Sequence, residues 1–482
     1  MSLTPSIATQ LAVVGGGPGG YAAAFLAADL GLQVVLIDPE DNPGGVCVYR
    51  GCIPSKALLH VAKVVAESRH AAAWGVDFGE PTINLDKLRA FKNSVVGRLT
   101  GGTGQLVKHR KVRYLKGLAE IVDPHNLSVA LADGATETVR FDHAILATGS
   151  RPVSVPGLSI DSDRVWDSTA ALDLPRVPNR LLVVGGGYIG LELGSVYATL
   201  GSEVTIVEMT SGLLPGADRD LVDVLARRIG QTVKAVLLDT KVARMTAGPD
   251  GIRVTLEGAG VTEPDQLFDN VLVAVGRRPN SDIPGLDRTA VTVDRRGFIL
   301  VDGQRRTEEP SIFAIGDVVG EPMLAHKASH EGRTAVEVIV GENVAFEPLA
   351  IPAVVFTDPE IAWCGLTETQ AAKEQRHVAI ARFPWAASGR AISIDRLDGL
   401  TKLVLDPDTG RVLGVGIVGA GAGELIAEGT LAIEMGATAA DMKLTIHPHP
   451  TLTETVMESA EVFYGQATHV YRPIRKKSEA KS

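Results

Sequence analysis

Two segments of this sequence align with each other without a gap, and their common pattern leaves few folds open. The first reads LAVVGGGPGGYAAAFLAADLGLQVVLID from Leu11 to Asp38, and the second reads LLVVGGGYIGLELGSVYATLGSEVTIVE from Leu181 to Glu208. Each is an apolar strand, a glycine-rich turn, a helix of small residues and a second apolar strand that ends in a carboxylate. This order predicts two βαβ units with the G-x-G-x-x-G pattern, and hence two bound dinucleotides.

The three glycines of each pattern have different physical roles. The first permits a tight turn, the second lets the backbone approach a pyrophosphate, and the third lets the helix pack close to the strand. The free amides and positive potential of the helix N-terminus then attract the phosphates. In order, these glycines are Gly15, Gly17 and Gly20 in the first unit and Gly185, Gly187 and Gly190 in the second.

The closing carboxylates indicate which nucleotide binds. Asp38 and Glu208 stand where a carboxylate can accept hydrogen bonds from ribose hydroxyls. Glu208 would repel a 2′-phosphate, and the residues after it, Met209-Thr-Ser, contain no arginine to receive one. The second unit is therefore expected to bind NAD rather than NADP. An exposed acid at the end of a strand is the alternative interpretation of Glu208.

Two cysteines follow the first unit, in the segment GGVCVYRGCIPSKALLH from Gly44 to His60. Cys47 and Cys52 are predicted to lie on one face at the start of a helix, close enough to form a disulfide. Pro54 suits the first turn of that helix, whose amides would favour a thiolate. A pair of small buried residues is the alternative, but the position directly after a dinucleotide-binding unit favours redox chemistry.

Length, charge and cysteine content exclude several classes of protein. The 482 residues suggest about two to four domains, and the net charge of −10 argues against a nucleic-acid surface. Three cysteines cannot form the framework of a secreted disulfide-rich protein. Met1–Gln10 has no Lys or Arg, and six glycines interrupt the apolar stretch Leu11–Leu36, so neither a signal peptide nor a membrane span is expected. The basic segment Arg472–Lys477 is interpreted as a frayed terminus, and the protein is expected in the cytoplasm, without a metal site.

The sequence resembles the pyridine nucleotide–disulfide oxidoreductases over nearly its whole length and, within that family, the bacterial dihydrolipoamide dehydrogenases. The motifs that carry the resemblance are GGVC…GCIPSK, ILATGSRP at 145–152, GGGYIGLELG at 185–194, VAVGRRPN at 273–280, IFAIGDVVGEPMLAHKASHEG at 312–332, FPWAASGRA at 383–391 and HPHPTLTE at 447–454. The resemblance implies FAD in the first unit, with contacts at Gly15, Gly17, Gly20, Asp38, Lys56, Thr148, Gly149, Asp317 and Ala325. It implies NAD in the second, with contacts at Gly185, Gly187, Tyr188, Gly190, Glu208 and Gly276.

The same resemblance implies a role for each reactive side chain. Cys47 would exchange with the substrate and Cys52 would face the flavin. Lys56 would lie near the flavin N5 and pair with Glu192, and His449, held by Glu454, would be the acid/base for the thiols. The alternatives are ordinary exposed helical charges for Lys56 and Glu192. For His449 the alternative is a buried packing histidine, because His447 stands beside it.

The expected fold is α/β, with two Rossmann-like dinucleotide-binding domains and a C-terminal α+β interface domain that forms a homodimer. The first part of the FAD domain covers 1–150, the NAD domain 151–276, the second part of the FAD domain 277–346, and the interface domain 347–482. The implied activity is NAD-dependent oxidation of protein-bound dihydrolipoamide. No lipoyl domain precedes Leu11, so the lipoyl group is expected on a partner, from either a 2-oxoacid dehydrogenase complex or the glycine-cleavage system. Another flavin disulfide reductase, of the glutathione or mercuric type, is the alternative enzyme, and a redox sensor without turnover is the alternative outside catalysis.

Several positions depart from the family pattern, among them His447-Pro448-His449, where the family often has His-Ala-His. Val48-Tyr49-Arg50 stands between the cysteines where a smaller stretch is common, and Arg50 is expected either to act on the thiols or substrate or to point to solvent. Asp38 replaces a more usual Glu. Tyr188 stands where many lipoamide enzymes have a smaller residue, and we hypothesise that it is an aromatic gate over the nicotinamide pocket; simple packing is the alternative.

Overall fold

The computed structural model describes residues 6–158 and 160–471. The basic segment Arg472–Lys477 lies outside these residues, as do the first five residues of the N-terminal stretch. Within the described ranges, no helix is both long and apolar enough to cross a membrane.

The chain divides into two compact units, each made of segments that are not contiguous in sequence. The first unit comprises Met1–Pro178, Met245–Ile252 and Asn270–Glu347, and the second comprises Asn179–Arg244, Arg253–Asp269 and Pro348–Ser482. The predicted domain boundaries at 150, 276 and 346 stay predictions.

Strands and helices alternate around each glycine-rich turn, and two longer runs consist of strands alone. The strands are β1 (Ile7–Val14), β2 (Val34–Asp38), β3 (Arg113–Asp123), β4 (Asn126–Leu131), β5 (Thr136–Leu146), β6 (Ser150–Pro152), β7 (Val165–Trp166), β8 (Arg180–Val184), β9 (Glu203–Val207), β10 (Ala235–Leu237), β11 (Thr240–Gly248), β12 (Gly251–Gly258), β13 (Asp265–Phe268), β14 (Asn270–Val273), β15 (Arg277–Pro279), β16 (Ile312–Ala314), β17 (Ala353–Val355), β18 (Glu360–Gly365), β19 (Ala379–Pro384), β20 (Leu400–Leu405) and β21 (Val412–Gly419). The helices are α1 (Pro18–Asp29), α2 (Gly45–Arg50), α3 (Cys52–His70), α4 (Leu85–His109), α5 (Ser168–Leu172), α6 (Tyr188–Leu200), α7 (Arg219–Thr232), α8 (Ala325–Ile339), α9 (Glu368–Lys373), α10 (Gly389–Ser393), α11 (Ala422–Glu434), α12 (Ala439–Leu444) and α13 (Glu454–Tyr464).

Strand β1 lies at the centre of the main sheet of the first unit. It pairs in parallel with β2 and β5, and β5 pairs in parallel with β16. The residues Leu11–Val14 and the whole of β2 are buried, as expected for parallel strands that are covered on both faces. Helix α8 packs so closely on α1 that a Cβ added at Gly332 would lie 2.7 Å from the carbonyl oxygen of Gly19. The first predicted βαβ unit is therefore confirmed as β1–α1–β2.

The second unit combines a parallel and an antiparallel sheet. Strands β8, β9 and β10 are parallel, and α6 connects β8 to β9, so the second predicted βαβ unit is also confirmed. The C-terminal part is an antiparallel sheet in the order β17-β18-β21-β20-β19, on which α11 and α13 pack. Its core surrounds the buried Phe383 and Trp385. The predicted class, α/β with an α+β C-terminal part, is confirmed.

Candidate active site

The two glycine-rich turns have nearly the same backbone geometry, which explains why the two segments align. Gly15 and Gly185 have φ of +107° and +112°, a region that side chains rarely adopt. A Cβ added at Gly20 would lie 1.8 Å from the carbonyl oxygen of Gly15. At Gly190 the matching distance, to the oxygen of Gly185, is 2.1 Å. Both turns thus require glycine at the first and third positions.

The second glycine of each pattern leaves open space at the start of a helix. A Cβ at Gly187 would meet no atom within 4 Å, and one at Gly17 would meet only the Cα of Gly45, at 4.0 Å. Both residues are extended and directly precede the first residue of α1 or α6. A diphosphate fits this arrangement, because it can approach the bare backbone and the free amides of the helix.

The closing carboxylates hold the same turns from the next strand. The Gly16 amide donates to Asp38 Oδ2 at 2.5 Å, and the Gly186 amide donates to Glu208 Oε2 at 2.7 Å. Burial raises the pKa of Asp38, although the Gly16 amide and the charge of Arg50 act to lower it. Each acid therefore stands beside the bare turn, as a ribose-binding carboxylate must. Their contacts with a ribose stay predictions.

Two further residues predicted to contact FAD, Thr148 and Asp317, form hydrogen bonds to residues that are distant from them in sequence. Asp317 Oδ2 accepts a hydrogen bond from Ser150 Oγ at 2.5 Å. Thr148 Oγ1 donates to the backbone carbonyl of Asn280 at 2.8 Å, and the side-chain Nδ2 of Asn280 donates to the backbone carbonyl of Thr148 at 2.9 Å. Gly149 has φ of +72°. Ser150 and Asn280 were not singled out from the sequence, although both stand inside the quoted motifs.

A buried ion network supports the loop of Asp317. Glu331 accepts from the Gly316 amide at 2.6 Å, from Lys327 Nζ at 3.1 Å and from Arg305 at 3.1 Å. Lys327 and Glu331 are four residues apart on α8, which begins at the predicted FAD residue Ala325. That i, i+4 pair in the motif HKASHEG was the available sequence signal. Glu331 is fully buried, so all of its charge must be compensated by these partners.

The cysteines do not lie on one helix, contrary to the prediction from the sequence. Cys47 is on α2 and Cys52 is the first residue of α3, because Gly51 leaves the helical region at φ −144° and ψ −113°. A Cβ at Gly51 would lie 2.9 Å from the carbonyl oxygen of Val46, so a larger residue does not fit this break. Pro54 lies in the first turn of α3, as predicted.

The break at Gly51 brings the two sulfur atoms together. Both cysteines carry reduced thiols and are not joined by a disulfide in the structure. The pKa of Cys47 is raised, first by its hydrogen bond with the Cys52 side chain and then by burial, while the charge of Lys56 acts to lower it. Burial and both cysteines also raise the pKa of Tyr21, a neighbour on α1 that sequence reasoning missed. A dithiol at hydrogen-bonding distance can close to a disulfide without a change of fold.

Two predicted site residues of the second unit, Tyr188 and Glu192, lie on α6. Glu192 is buried on α6 and accepts a hydrogen bond from the Phe356 amide at 3.0 Å, so it is not an ordinary exposed helical charge. Its pairing with Lys56 stays a prediction. Tyr188 is the first residue of α6 and is partly exposed, and Gly276 has φ of +124°. Their roles toward NAD also stay predictions.

The structure distinguishes the two histidines of HPHPTLTE. The His447 side chain is 5% exposed, and its two ring nitrogens bond to Glu428 and to the carbonyl of Thr445. The His449 side chain is 72% exposed, and its Nδ1 lies 2.9 Å from Glu454 Oε1. The alternative of a buried packing histidine therefore applies to His447 and is wrong for His449.

Helix α13 holds Glu454 in place for His449. Burial would raise the pKa of Glu454, but hydrogen bonds from the Thr451 amide and from His449 bring it below its usual value. Farther along the helix, Thr455 and Ser459 bond to Thr401 of β20. The dyad is thus an exposed imidazole on an anchored, ionised carboxylate, an arrangement suited to proton transfer.

Known proteins with related sequences share this organisation. Residues 9–332 match the family described as pyridine nucleotide-disulphide oxidoreductase, and residues 351–460 match its dimerisation domain. The chain is 51% identical to the dihydrolipoyl dehydrogenase of Haemophilus influenzae, over 97% of each chain. It is 45% identical to the dihydrolipoyl dehydrogenase of Geobacillus stearothermophilus, over 96% of this chain and 98% of the other.

Solved structures are similar over almost the whole chain. The LpdA protein of Mycobacterium tuberculosis superimposes with a TM-score of 0.87 at 28% identity, covering 94% of this chain and 99% of the other. The HOCl-induced flavoprotein disulfide reductase RclA of Escherichia coli gives a TM-score of 0.82 at 26% identity, covering 94% and 99%.

Proposed function

This chain belongs to the pyridine nucleotide-disulphide oxidoreductases, and we propose that within this family it acts as a dihydrolipoyl dehydrogenase. It is an oxidoreductase that binds FAD and NAD, and it oxidises dihydrolipoamide to lipoamide while NAD is reduced to NADH. The observation that carries this conclusion is the full-length similarity to curated bacterial enzymes of that name, 51% identical in the first of them. The paired thiols behind the first dinucleotide turn supply the chemistry.

The reaction begins with a thiol–disulfide exchange between the substrate and the two cysteines. Dihydrolipoamide gives up two thiol hydrogens and reduces the Cys47–Cys52 disulfide to the dithiol, with Cys47 as the sulfur that bonds to the substrate. FAD held in the first dinucleotide unit would supply the path by which two electrons and one proton of that dithiol reach NAD as a hydride; the disulfide would then be restored and the second proton released. His449 would accept the proton that each substrate thiol loses before it attacks, since an imidazole can take up a proton near neutral pH. Glu454 fixes the ring through Nδ1 and would stabilise the imidazolium.

The second dinucleotide turn favours NAD over NADP. Glu208 is committed to the Gly186 amide and, through Oε1, to the Thr210 amide at 2.8 Å. A 2′-phosphate at this place would meet an ionised carboxylate, and the exposed Met209 beside it offers no charge.

The chain forms a homodimer, and the exposed apolar residues of its dimerisation part support that assembly. Leu431, Met435, Leu444 and Ile446 are exposed, the last by 95%, although apolar side chains of this size are normally covered. A two-fold interface would bury this surface on both copies. We further propose that the lipoyl group arrives on a carrier domain of a 2-oxoacid dehydrogenase acyltransferase or of the glycine-cleavage system, in the cytoplasm.

A substrate comparison tests the proposal. The purified holoenzyme is mixed with NAD and either dihydrolipoamide or reduced glutathione, and NADH formation is recorded. We expect rapid NADH formation with dihydrolipoamide and little with glutathione, because the glutathione enzymes resembling this chain prefer NADP. Preference for glutathione, or equal use of NADP, would assign the chain to another class of disulfide reductase. The absence of turnover with either thiol would favour a redox sensor.

A further inference from the structure

The two long side chains between the cysteines reach the β2 loop, which is the segment of residues 39–43 that follows β2. Arg50 forms an ion pair with Glu40. The Tyr49 hydroxyl donates to the carbonyl of Asn42 at 3.0 Å and lies 3.2 Å from the Asn42 amide. Thus Arg50 is paired with Glu40, while its side chain is still 39% exposed. The expectation that Arg50 acts on the thiols stays a prediction.

The β2 loop lies between two parts of the FAD-binding surface. Asp38, the ribose-binding candidate, directly precedes it and accepts a hydrogen bond from the Glu40 amide at 3.0 Å. At its other end the Gly44 amide donates to the carbonyl of Gly16 at 2.7 Å. A Cβ at Gly45 would lie 2.5 Å from the Cα of Gly17, so the start of α2 rests directly on the phosphate-binding turn. Any shift of this loop would move both the carboxylate and the turn.

Other elements of the first unit hold the β2 loop through its backbone and one charge. Tyr114 of β3 donates to the carbonyl of Glu40 at 2.9 Å, and Thr103 of α4 donates to the carbonyl of Pro43 at 2.5 Å. Lys116 pairs with Asp41. The contribution of α2 differs, because its guanidinium lies close enough to Asp38 to counter the effect of burial on that acid.

We propose that Tyr49 and Arg50 are positioning residues for FAD, which fasten the β2 loop and Asp38 to the redox-active helix α2. The inference rests on the FAD binding of the proposed function and adds how this chain retains the cofactor. Since α2 also carries Cys47, the segment that reacts with substrate and the segment that binds the adenosine half of FAD are mechanically joined. Loosening either side is then expected to release FAD faster.

The test measures FAD release from the holoenzyme rather than turnover. Wild-type protein, Arg50→Met, Glu40→Gln and the double variant are diluted into mild urea, and the rise of free-flavin fluorescence is recorded. We expect each single variant to release FAD roughly two- to fivefold faster, the range for a half-exposed ion pair. The double variant should be no faster than the quicker single variant, because both changes remove the same pair. Arg50→Lys keeps a cation beside Glu40 and should release FAD at nearly the wild-type rate. Tyr49→Phe removes the hydroxyl that bonds to Asn42 and should release FAD faster.

Arg69→Met is the matched control, since the Arg69 side chain pairs with Glu80 in the same unit and is about as exposed as the Arg50 side chain. It should release FAD at the wild-type rate. The proposal would be overturned if Arg50→Met released FAD at the wild-type rate, or if the effects of Arg50→Met and Glu40→Gln on the release rate were additive. Either result would leave the proposed function intact. A shifted pH dependence of Cys47 alkylation in Arg50→Met, without faster release, would overturn it in favour of a role at the thiols. A wild-type protein that binds no FAD would reject both this proposal and the proposed function.

Discussion

At the residue scale, the reactive side chains depend on contacts with neighbours. These neighbours are either distant in sequence or separated from them by a break in the helix. Cys47 and Cys52 meet because Gly51 interrupts the helix between them. Asp38 and Glu208 meet glycine amides twenty-two residues earlier in the chain. His449 differs from His447 only in what surrounds it. Three predictions belong to this scale.

The first prediction concerns the two thiols. Cys47→Ser and Cys52→Ser should each abolish lipoamide turnover and leave FAD bound, because the disulfide is a reactant and does not hold the fold together. If Cys52 alone faces the flavin, reduced Cys47→Ser protein should show a long-wavelength thiolate–flavin absorption band and Cys52→Ser protein should not. Cys364→Ala is the control and should keep wild-type turnover. The same band in both serine variants would contradict the assignment.

The second prediction concerns nucleotide choice. The double change Glu208→Ala and Met209→Arg should reduce the preference for NAD over NADP by roughly tenfold or more, since a hydrogen bond to a charged group contributes about 1.5–3 kcal/mol. Steady-state kcat/KM values for both nucleotides measure the ratio. Met209→Arg alone controls for the added charge and should change the ratio less. Equal use of both nucleotides by the wild-type protein would mean that Glu208 has no ribose role.

The third prediction concerns Tyr188, at the first position of α6. If its ring covers the nicotinamide pocket and swings aside as NAD binds, Tyr188→Val should alter the KM for NAD and the rate of NAD binding seen by stopped flow. Tyr188→Phe, which keeps the ring, should behave like the wild type. Unchanged nucleotide kinetics in Tyr188→Val would show that the residue only packs.

At the element scale, helices and strands that carry the site are tied down by buried charges. In the second unit the carboxylates of Asp218, Asp220 and Glu368 approach one another closely enough for a metal ion. Lys402 Nζ stands among them instead, at 2.7, 2.7 and 3.3 Å. Lys402 is 1% exposed. This cluster joins the segment that opens α7 to β20 and α9, so it orders the unit that carries both the second dinucleotide turn and the dyad.

The fourth prediction follows from that cluster. Lys402→Met should lower the free energy of unfolding by about 3–5 kcal/mol, because it leaves the buried carboxylate of Asp218 without its cation. Denaturant unfolding of the two proteins measures the difference. Lys241→Met is the matched control: its ion pair with Glu257 is exposed, and its loss should cost less than about 1 kcal/mol. Equal losses in both variants would contradict a structural role for Lys402.

The same cluster predicts how stability depends on pH. Burial alone would raise the pKa of Asp218, but hydrogen bonds from Lys402, Thr369 and the Glu368 amide lower it to about 2. Since the folded pKa lies below the unfolded value, this stabilisation is present above about pH 4 and is lost as the pH falls toward 2. Lys402→Met should therefore show a weaker loss of stability over this interval than the wild type.

At the scale of the whole molecule, the dimerisation part presents an exposed apolar surface, and the His449 side chain is exposed in the single chain. We propose that a two-fold dimer completes two active sites at once, with each copy supplying its His449 to the site of the other. We expect His449 to serve the Cys47 of its partner.

The fifth prediction tests this shared site by mixing two inactive homodimers, Cys47→Ser and His449→Ala, under conditions that exchange subunits. Each heterodimer then holds one site with both groups intact and one with neither. Random exchange should restore about a quarter of the wild-type activity, because half of the dimers carry one of two working sites. Each variant incubated alone is the control. No recovery, with exchange verified by native mass spectrometry, would mean that His449 acts within its own chain or not at all.

The parts of the molecule that sequence reasoning predicted are those with local physical causes. The βαβ units follow from apolar runs, glycine positions and a closing acid, all within about thirty residues. The first and third glycines of each turn are required by backbone conformation and backbone space, so the pattern can be recognised without any tertiary information. The family, and with it the cofactors and the activity, follows from motifs of this kind in a particular order.

Only the tertiary structure decided what depends on groups far apart in the chain. It broke the predicted redox helix at Gly51, directed Arg50 to Glu40, and bound Ser150 to Asp317 across 167 residues. It also buried the His447 side chain and left the His449 side chain exposed to solvent. No periodicity or spacing encodes such outcomes, because a side chain's burial and partners are set by which elements pack beside it. The residue type fixes the charge and the hydrogen-bonding groups of a side chain, whereas the fold decides which partners those groups contact.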